Sequence, residues 1–140
     1  MPSLIREVAA EPLLVAEVAA LRVAVGAGLR GVAIDRLLAL LTPAPRAPAA
    51  DEVAVLAAVE RATEVVLRRV RVTRTTCLLR SLIRYRCLRA RGVPVTFRMG
   101  VRTTSDSLVG HAWIELWGQP VLERESTDYT VTLSYPPSEQ

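Results

Sequence analysis

The stretch TTCLLRSLIRYRCLRARGVPVTFRMGV, residues 75–101, decides how this chain folds, because its hydrophobic period changes in the middle. Thr75 or Thr76 can cap a helix that begins near Cys77 and runs to Arg91. Gly92 stands where a left-handed C-terminal cap is expected, and Pro94 prevents continuation. On a wheel, Leu78, Leu79, Leu82, Ile83 and Tyr85 share one broad face. Arg80, Arg84 and Arg91 share another, about 40° wide at roughly 100° per residue. The expected element is an amphipathic helix with an arginine stripe. Beyond Gly92 apolar residues alternate, and Val93 to Val101 reads as a strand.

Downstream, Val109 to Leu116 reads as a second strand, Gly118 marks a turn, Val121 opens a third strand, and Tyr129 to Leu133 a fourth. Upstream, Asp51 caps a helix whose Val53, Leu56, Ala57, Val59, Ala62, Val66 and Leu67 suit a 3.6 period. The prolines at 43, 45 and 48 exclude helix and suggest a linker over 43–50. Before them, Ser3 can cap a short helix, Pro12 suits the first turn of another through about Val25, and Val32 to Leu41 is a further apolar run. The predicted organisation is a helical extension over 1–42, the linker 43–50, and a domain over 51–140. Helices first and an antiparallel sheet last define an α+β fold.

Composition narrows the function. The 140 residues are 51% hydrophobic but only 4% aromatic, so the core is built mainly from Leu, Val and Ala. Two cysteines make no disulfide framework, and no secretion signal precedes them, which points to a reducing cytoplasm. Glu7, Glu11 and Glu17 interrupt the N-terminal apolar run, so no membrane span is expected. All 18 basic residues are arginine, and they are unevenly placed. Residues 61–102 hold twelve of them against Glu64 alone, a field that attracts an anionic partner. No glycine-rich phosphate loop is present, so nothing suggests that the chain binds ATP.

The chemistry rests on few residues. His111 is the only histidine, and with two cysteines it leaves a zinc site short of ligands. Cys–His nucleophilic catalysis is the main option left. The thiolate is the reactive form, and a helix N-terminus favours it. Cys77 falls at such a start; Cys87 falls in mid-helix and reads as a small buried apolar residue. Strand alternation puts His111, Trp113 and Glu115 on one face. A three-residue loop of Trp117, Gly118 and Gln119 would pair Leu116 with Pro120, setting Trp113 opposite Glu123 and His111 opposite Glu125. Either glutamate can then orient the imidazole, and parity does not choose. A two-residue loop would turn both away.

In order, a helix-start Cys, a strand His and a next-strand carboxylate resemble the transglutaminase-like superfamily, with its papain-like core. The runs Cys77-Leu78-Leu79-Arg80-Ser81-Leu82, Arg91-Gly92-Val93-Pro94, Gly100-Val101-Arg102 and Gly110-His111-Ala112-Trp113-Ile114-Glu115 are similar to the leader peptidases of lasso peptide biosynthesis. That resemblance implies a cytoplasmic bacterial cysteine peptidase without cofactor or metal. Cys77 would be the nucleophile and His111 the base. The family's carboxylate, often Asp, falls twelve residues after the His, which here is Glu123. The chain resembles the stand-alone form, whose substrate, a precursor leader peptide, is presented by a separate recognition protein; an ATP-dependent cyclase follows. Arg80, Arg84 and Arg91 would lie partly on that docking surface, with Trp113 as a further binding residue. Two rival readings are a scaffold of this fold without activity and an arginine-rich nucleic-acid module. Only Tyr85 and Phe97 interleave the arginines as stacking partners, so no nucleic acid is expected.

Overall fold

Pro12 stands at the first position of α1 (Pro12–Gly28), where a missing N–H leaves no intrahelical bond unmade. Two further helices follow, α2 (Ile34–Leu41) and α3 (Glu52–Arg69). Asp51 caps α3 as expected, its Oδ1 accepting the Ala54 N–H at 3.1 Å. Next come α4 (Cys77–Ala90) and the strands β1 (Thr96–Thr103), β2 (Leu108–Leu116), β3 (Gln119–Val121) and β4 (Thr130–Tyr135). The strands form one antiparallel sheet in the order β3-β2-β1-β4. This computed structural model describes residues 11–69 and 77–137. The caps expected from Ser3 and from Thr75 or Thr76 lie outside those residues.

Helix α4 is the centre of the molecule. One side packs on α1, α2 and α3, the other on β1 and β2. Ser81 to Tyr85, Cys87 and Leu88 are therefore all buried. This corrects the expected amphipathic helix with an exposed stripe: Arg84 lies inside, 5% exposed. Wheel geometry separates apolar from charged residues, but it cannot tell a charged face in solvent from one covered by another helix. The C-terminus of α4 closes as the sequence demands. Gly92 adopts φ +83°. Its N–H donates to Arg89 O at 3.2 Å, and the Val93 N–H reaches back to Leu88 O at 3.0 Å, a Schellman cap.

The proline-bearing segment lies directly on that cap. Ala49 N–H donates to Gly92 O at 3.0 Å, and a Cβ at Gly92 would sit 2.2 Å from Ala47 O. Leu14, Val18 and Val25 of α1 and Leu37, Leu38 and Leu41 of α2 share one core with Val59, Leu82 and Leu88. Thr42 Oγ1 also lies 2.7 Å from the hydroxyl of Tyr85, at the middle of α4.

Three strand expectations change, and the third strand, expected from Val121 onward, instead ends there. β1 begins at Thr96, not Val93, because Val93 N–H closes the α4 cap and Pro94 has no N–H to offer. The β2–β3 loop has two residues, not three: Leu116 pairs with Gln119, Glu115 with Pro120 and Ile114 with Val121. Trp117 at φ +52° and Gly118 at φ +78° supply the pair of positive φ values that a type I′ turn needs. The sequence-based register counted Gln119 into the loop, since a tryptophan at positive φ carries no compositional signal.

Candidate active site

Ser81 fixes the start of α4 against the sheet. Its Oγ donates to the carbonyl of Ala112, in β2, at 3.1 Å. Cys77 lies one turn before Ser81 on the same helical face, and His111 is the neighbour of Ala112. Both line a single cavity of about 290 Å³, together with Ser81, Ala112, Glu123 and Glu125. Ala112, Ile114 and Leu116 belong to the helical core, and alternation gives His111, Trp113 and Glu115 the other face of β2.

His111 is held from several directions. Its Nε2 lies 3.2 Å from Glu123 Oε2. The other carboxylate oxygen of Glu123 accepts the Glu125 N–H at 3.0 Å. The imidazole stacks on Trp113 at 5.8 Å and on Tyr129 at 5.2 Å between centroids. Gly100, opposite His111 on β1, makes room for these rings. A Cβ there would lie 2.8 Å from Tyr129 Cβ and 3.2 Å from the Trp113 ring. Arg102 covers Tyr129 at 4.8 Å. His111 is 8% exposed.

Glu123 reaches His111 by a route that strand parity does not contain. With a two-residue loop, continued pairing would set Arg124 opposite His111. Pairing instead stops at Val121, and Leu122 turns to φ +55°. That bend brings Glu123 back to the imidazole, while Glu125 stays exposed at the cavity rim. The left-handed region is disfavoured for leucine, so the bend requires outside support.

Arg84 supplies it. Nη1 donates to Leu122 O at 3.1 Å, Nε to Thr63 Oγ1 at 3.1 Å and Nη2 to Glu64 Oε1 at 3.1 Å. Burial, with Arg80 close by, pulls this guanidinium below its ordinary pKa, against the opposing pull of Glu64, Glu60 and Glu123.

The other binding candidates occupy separate places. Arg80 lies on the cavity wall and pairs with Glu64 at 3.5 Å. Arg91 forks onto Glu17 of α1, at 2.7 Å and 3.3 Å. Trp113 is 2% exposed, and its Nε1 donates to Glu115 Oε2 at 2.8 Å. The three arginines do not form one docking stripe, and Trp113 presents no surface. Glu64, the lone acid between 61 and 102, meets Arg68, Arg80 and Arg84. Ser81, Thr63 and Tyr129 carry no site role in the sequence reading. A serine on an otherwise apolar helix face was the one available signal for the first.

Thiol, imidazole and carboxylate line one cavity, carried by the first turn of α4, by β2 and by the bend that follows β3. The profile of the transglutaminase-like superfamily matches residues 18–134, and the chain belongs to that superfamily, which includes cysteine peptidases and transglutaminases. No curated protein and no solved structure matches the chain. Among the described residues no helix is long and apolar enough to cross a membrane, and no group of three or more His, Cys, Asp or Glu is placed to hold a metal ion.

Proposed function

We propose that this protein is a cysteine peptidase that removes the leader from a lasso peptide precursor, with Cys77 as nucleophile, His111 as acid and base, and Glu123 as the group that orients His111. One observation carries the reading: Cys77, His111 and Glu123 line one cavity, with His111 Nε2 already committed to Glu123 at 3.2 Å. The sequence runs similar to lasso leader peptidases supply the substrate.

Cys77 Sγ, its proton passed to His111 Nδ1, attacks the carbonyl that joins leader to core. A thioester to the leader forms as the C–N bond breaks, and the imidazolium returns its proton to the departing core amine. His111 next takes a proton from water, whose oxygen attacks the thioester carbonyl; the C–S bond breaks, the leader acid departs, and the imidazolium returns the proton to Cys77 Sγ. Negative charge on the tetrahedral oxygen is met by the Cys77 N–H, in the first described turn of α4. Glu123 keeps Nε2 as the protonated nitrogen, so that Nδ1 is the atom that exchanges protons. The reaction belongs in a bacterial cytoplasm, where a separate recognition protein presents the leader and an ATP-dependent cyclase closes the freed core.

The test is mass spectrometry of the precursor after incubation with the protein. Cys77→Ala and His111→Ala each abolish cleavage while the fold persists, and Cys87→Ala retains it. Cleavage by Cys77→Ala would sink the mechanism; no cleavage by the wild type with its recognition protein present would sink the substrate assignment.

A further inference from the structure

Arg84 is a buried cation that no step of the proposed reaction uses. Its three partners lie on two separate elements. Thr63 and Glu64 belong to α3, and Thr63 Oγ1 itself donates to Val59 O and Glu60 O at 2.8 and 2.9 Å. The third partner, Leu122 O, belongs to the bend that ends the β2–β3 hairpin. Arg84 therefore joins the helical layer to the one backbone position whose conformation decides where Glu123 points. That bond supports Leu122 at φ +55° alongside the packing of its side chain on the core, whereas continuing the hairpin register would bring Arg124 to His111 in place of Glu123.

We infer that Arg84 is a positioning residue that fixes the Leu122 bend and thereby holds Glu123 on His111. A lysine cannot replace it fully, because an ammonium lacks the planar fork that spans Thr63, Glu64 and Leu122 at once. The other described ionisable groups around the imidazole are Cys77, Glu60, Glu64, Arg80, Arg124 and Glu125 in the cavity wall and Tyr129 under Arg102. None of them bonds the Leu122 carbonyl. The catalytic consequence rests on the proposed Cys77–His111–Glu123 reading; the pairing itself rests on geometry alone.

His111 is the only imidazole, so proton–nitrogen NMR of the ¹⁵N-labelled protein reads it without ambiguity. The wild type should show a downfield Nε2 proton protected by Glu123, and Glu123→Ala should lose it. Arg84→Met should lose it as well, and Arg84→Lys should retain it at reduced intensity. Arg91→Met, which breaks the Glu17 pair on the same helix, should keep it at full intensity despite lowered stability. If Arg84→Met does not fold, Thr63→Val, which removes the acceptor of Arg84 Nε, should weaken the signal. A wild type without the protected proton overturns the inference, as does a folded Arg84→Met, or a Thr63→Val standing in for it, that keeps the proton at full intensity.

The kinetic arm separates this inference from the proposed function. Arg84→Lys should lower kcat for precursor cleavage roughly tenfold with KM little changed, and should have no further effect in a Glu123→Ala background. Equal losses in both backgrounds would show that Arg84 does not act through Glu123. If the wild type cleaves no precursor while the NMR pattern holds, the substrate assignment falls and the positioning role stands.

Discussion

Glu123 and Glu125 are two residues apart, yet their settings differ. Glu123 contacts His111 with one oxygen and the Glu125 N–H with the other, whereas Glu125 is exposed. Glu123→Gln should slow precursor cleavage about tenfold or more, because an amide stabilises imidazolium poorly, and Glu125→Gln should be silent. The reverse result, read from single-turnover rates, would move the third member two residues along the chain. The two cysteines are as different. Burial first, and Glu17 beside it, push the Cys87 thiol up to about 12. At neutral pH an alkylating probe should therefore label Cys77 and spare Cys87, as peptide mapping would show. The same shift sets a dependence of stability on pH. Above the ordinary thiol pKa of about 8.5 the unfolded chain releases the Cys87 proton and the native state keeps it. Native stability should thus fall by about 1.4 kcal/mol per pH unit until about 12. Urea melts of wild type and Cys87→Ala across that range measure it: the variant's slope should be shallower, and equal slopes would refute the assignment.

At the scale of elements, α4 carries the site at one end and the linker contact at the other. Gly92 meets two demands at its C-terminus: a positive φ, and the approach of Ala47 O to where a Cβ would stand. Gly92→Ala should cost about 1–3 kcal/mol in chemical denaturation, since both the cap and the packing of residues 47–49 must shift. Cys77 is fifteen residues away, roughly 22 Å along a helix axis, so its alkylation rate should not change. A Gly92→Ala protein as stable as wild type would mean that the cap conformation is not required. The β2–β3 hairpin makes the complementary point. Its turn and the Leu122 bend use positive φ at Trp117 and Leu122, residues that composition never flags as turn formers.

Across the whole molecule, charge that is segregated along the chain becomes mixed in space. Arg91 finds Glu17 from residues 1–60, which hold seven acids against five arginines, and Arg98 finds Glu115 from residues 103–140, which hold six acids against one arginine. Arg86 donates to Leu41 O, and Arg89 donates to Val95 O while lying over Tyr85 at 5.4 Å. Among the described residues, Arg84, Arg86, Arg89, Arg91 and Arg98 of α4 and β1 are each tied to a partner within the molecule. The sequence by itself determined the α+β order, the Asp51 and Gly92 caps, and the inventory of one imidazole and one helix-start thiol. Those follow from local rules: period, capping chemistry and residue type act within a few positions. The tertiary structure alone decided that Arg84 is buried, that the hairpin turns in two residues, and that Glu123 reaches His111 through a bend held from α4. Each of these depends on which groups another element brings alongside, and a hydrogen bond across 38 residues of chain leaves no periodic trace in the sequence.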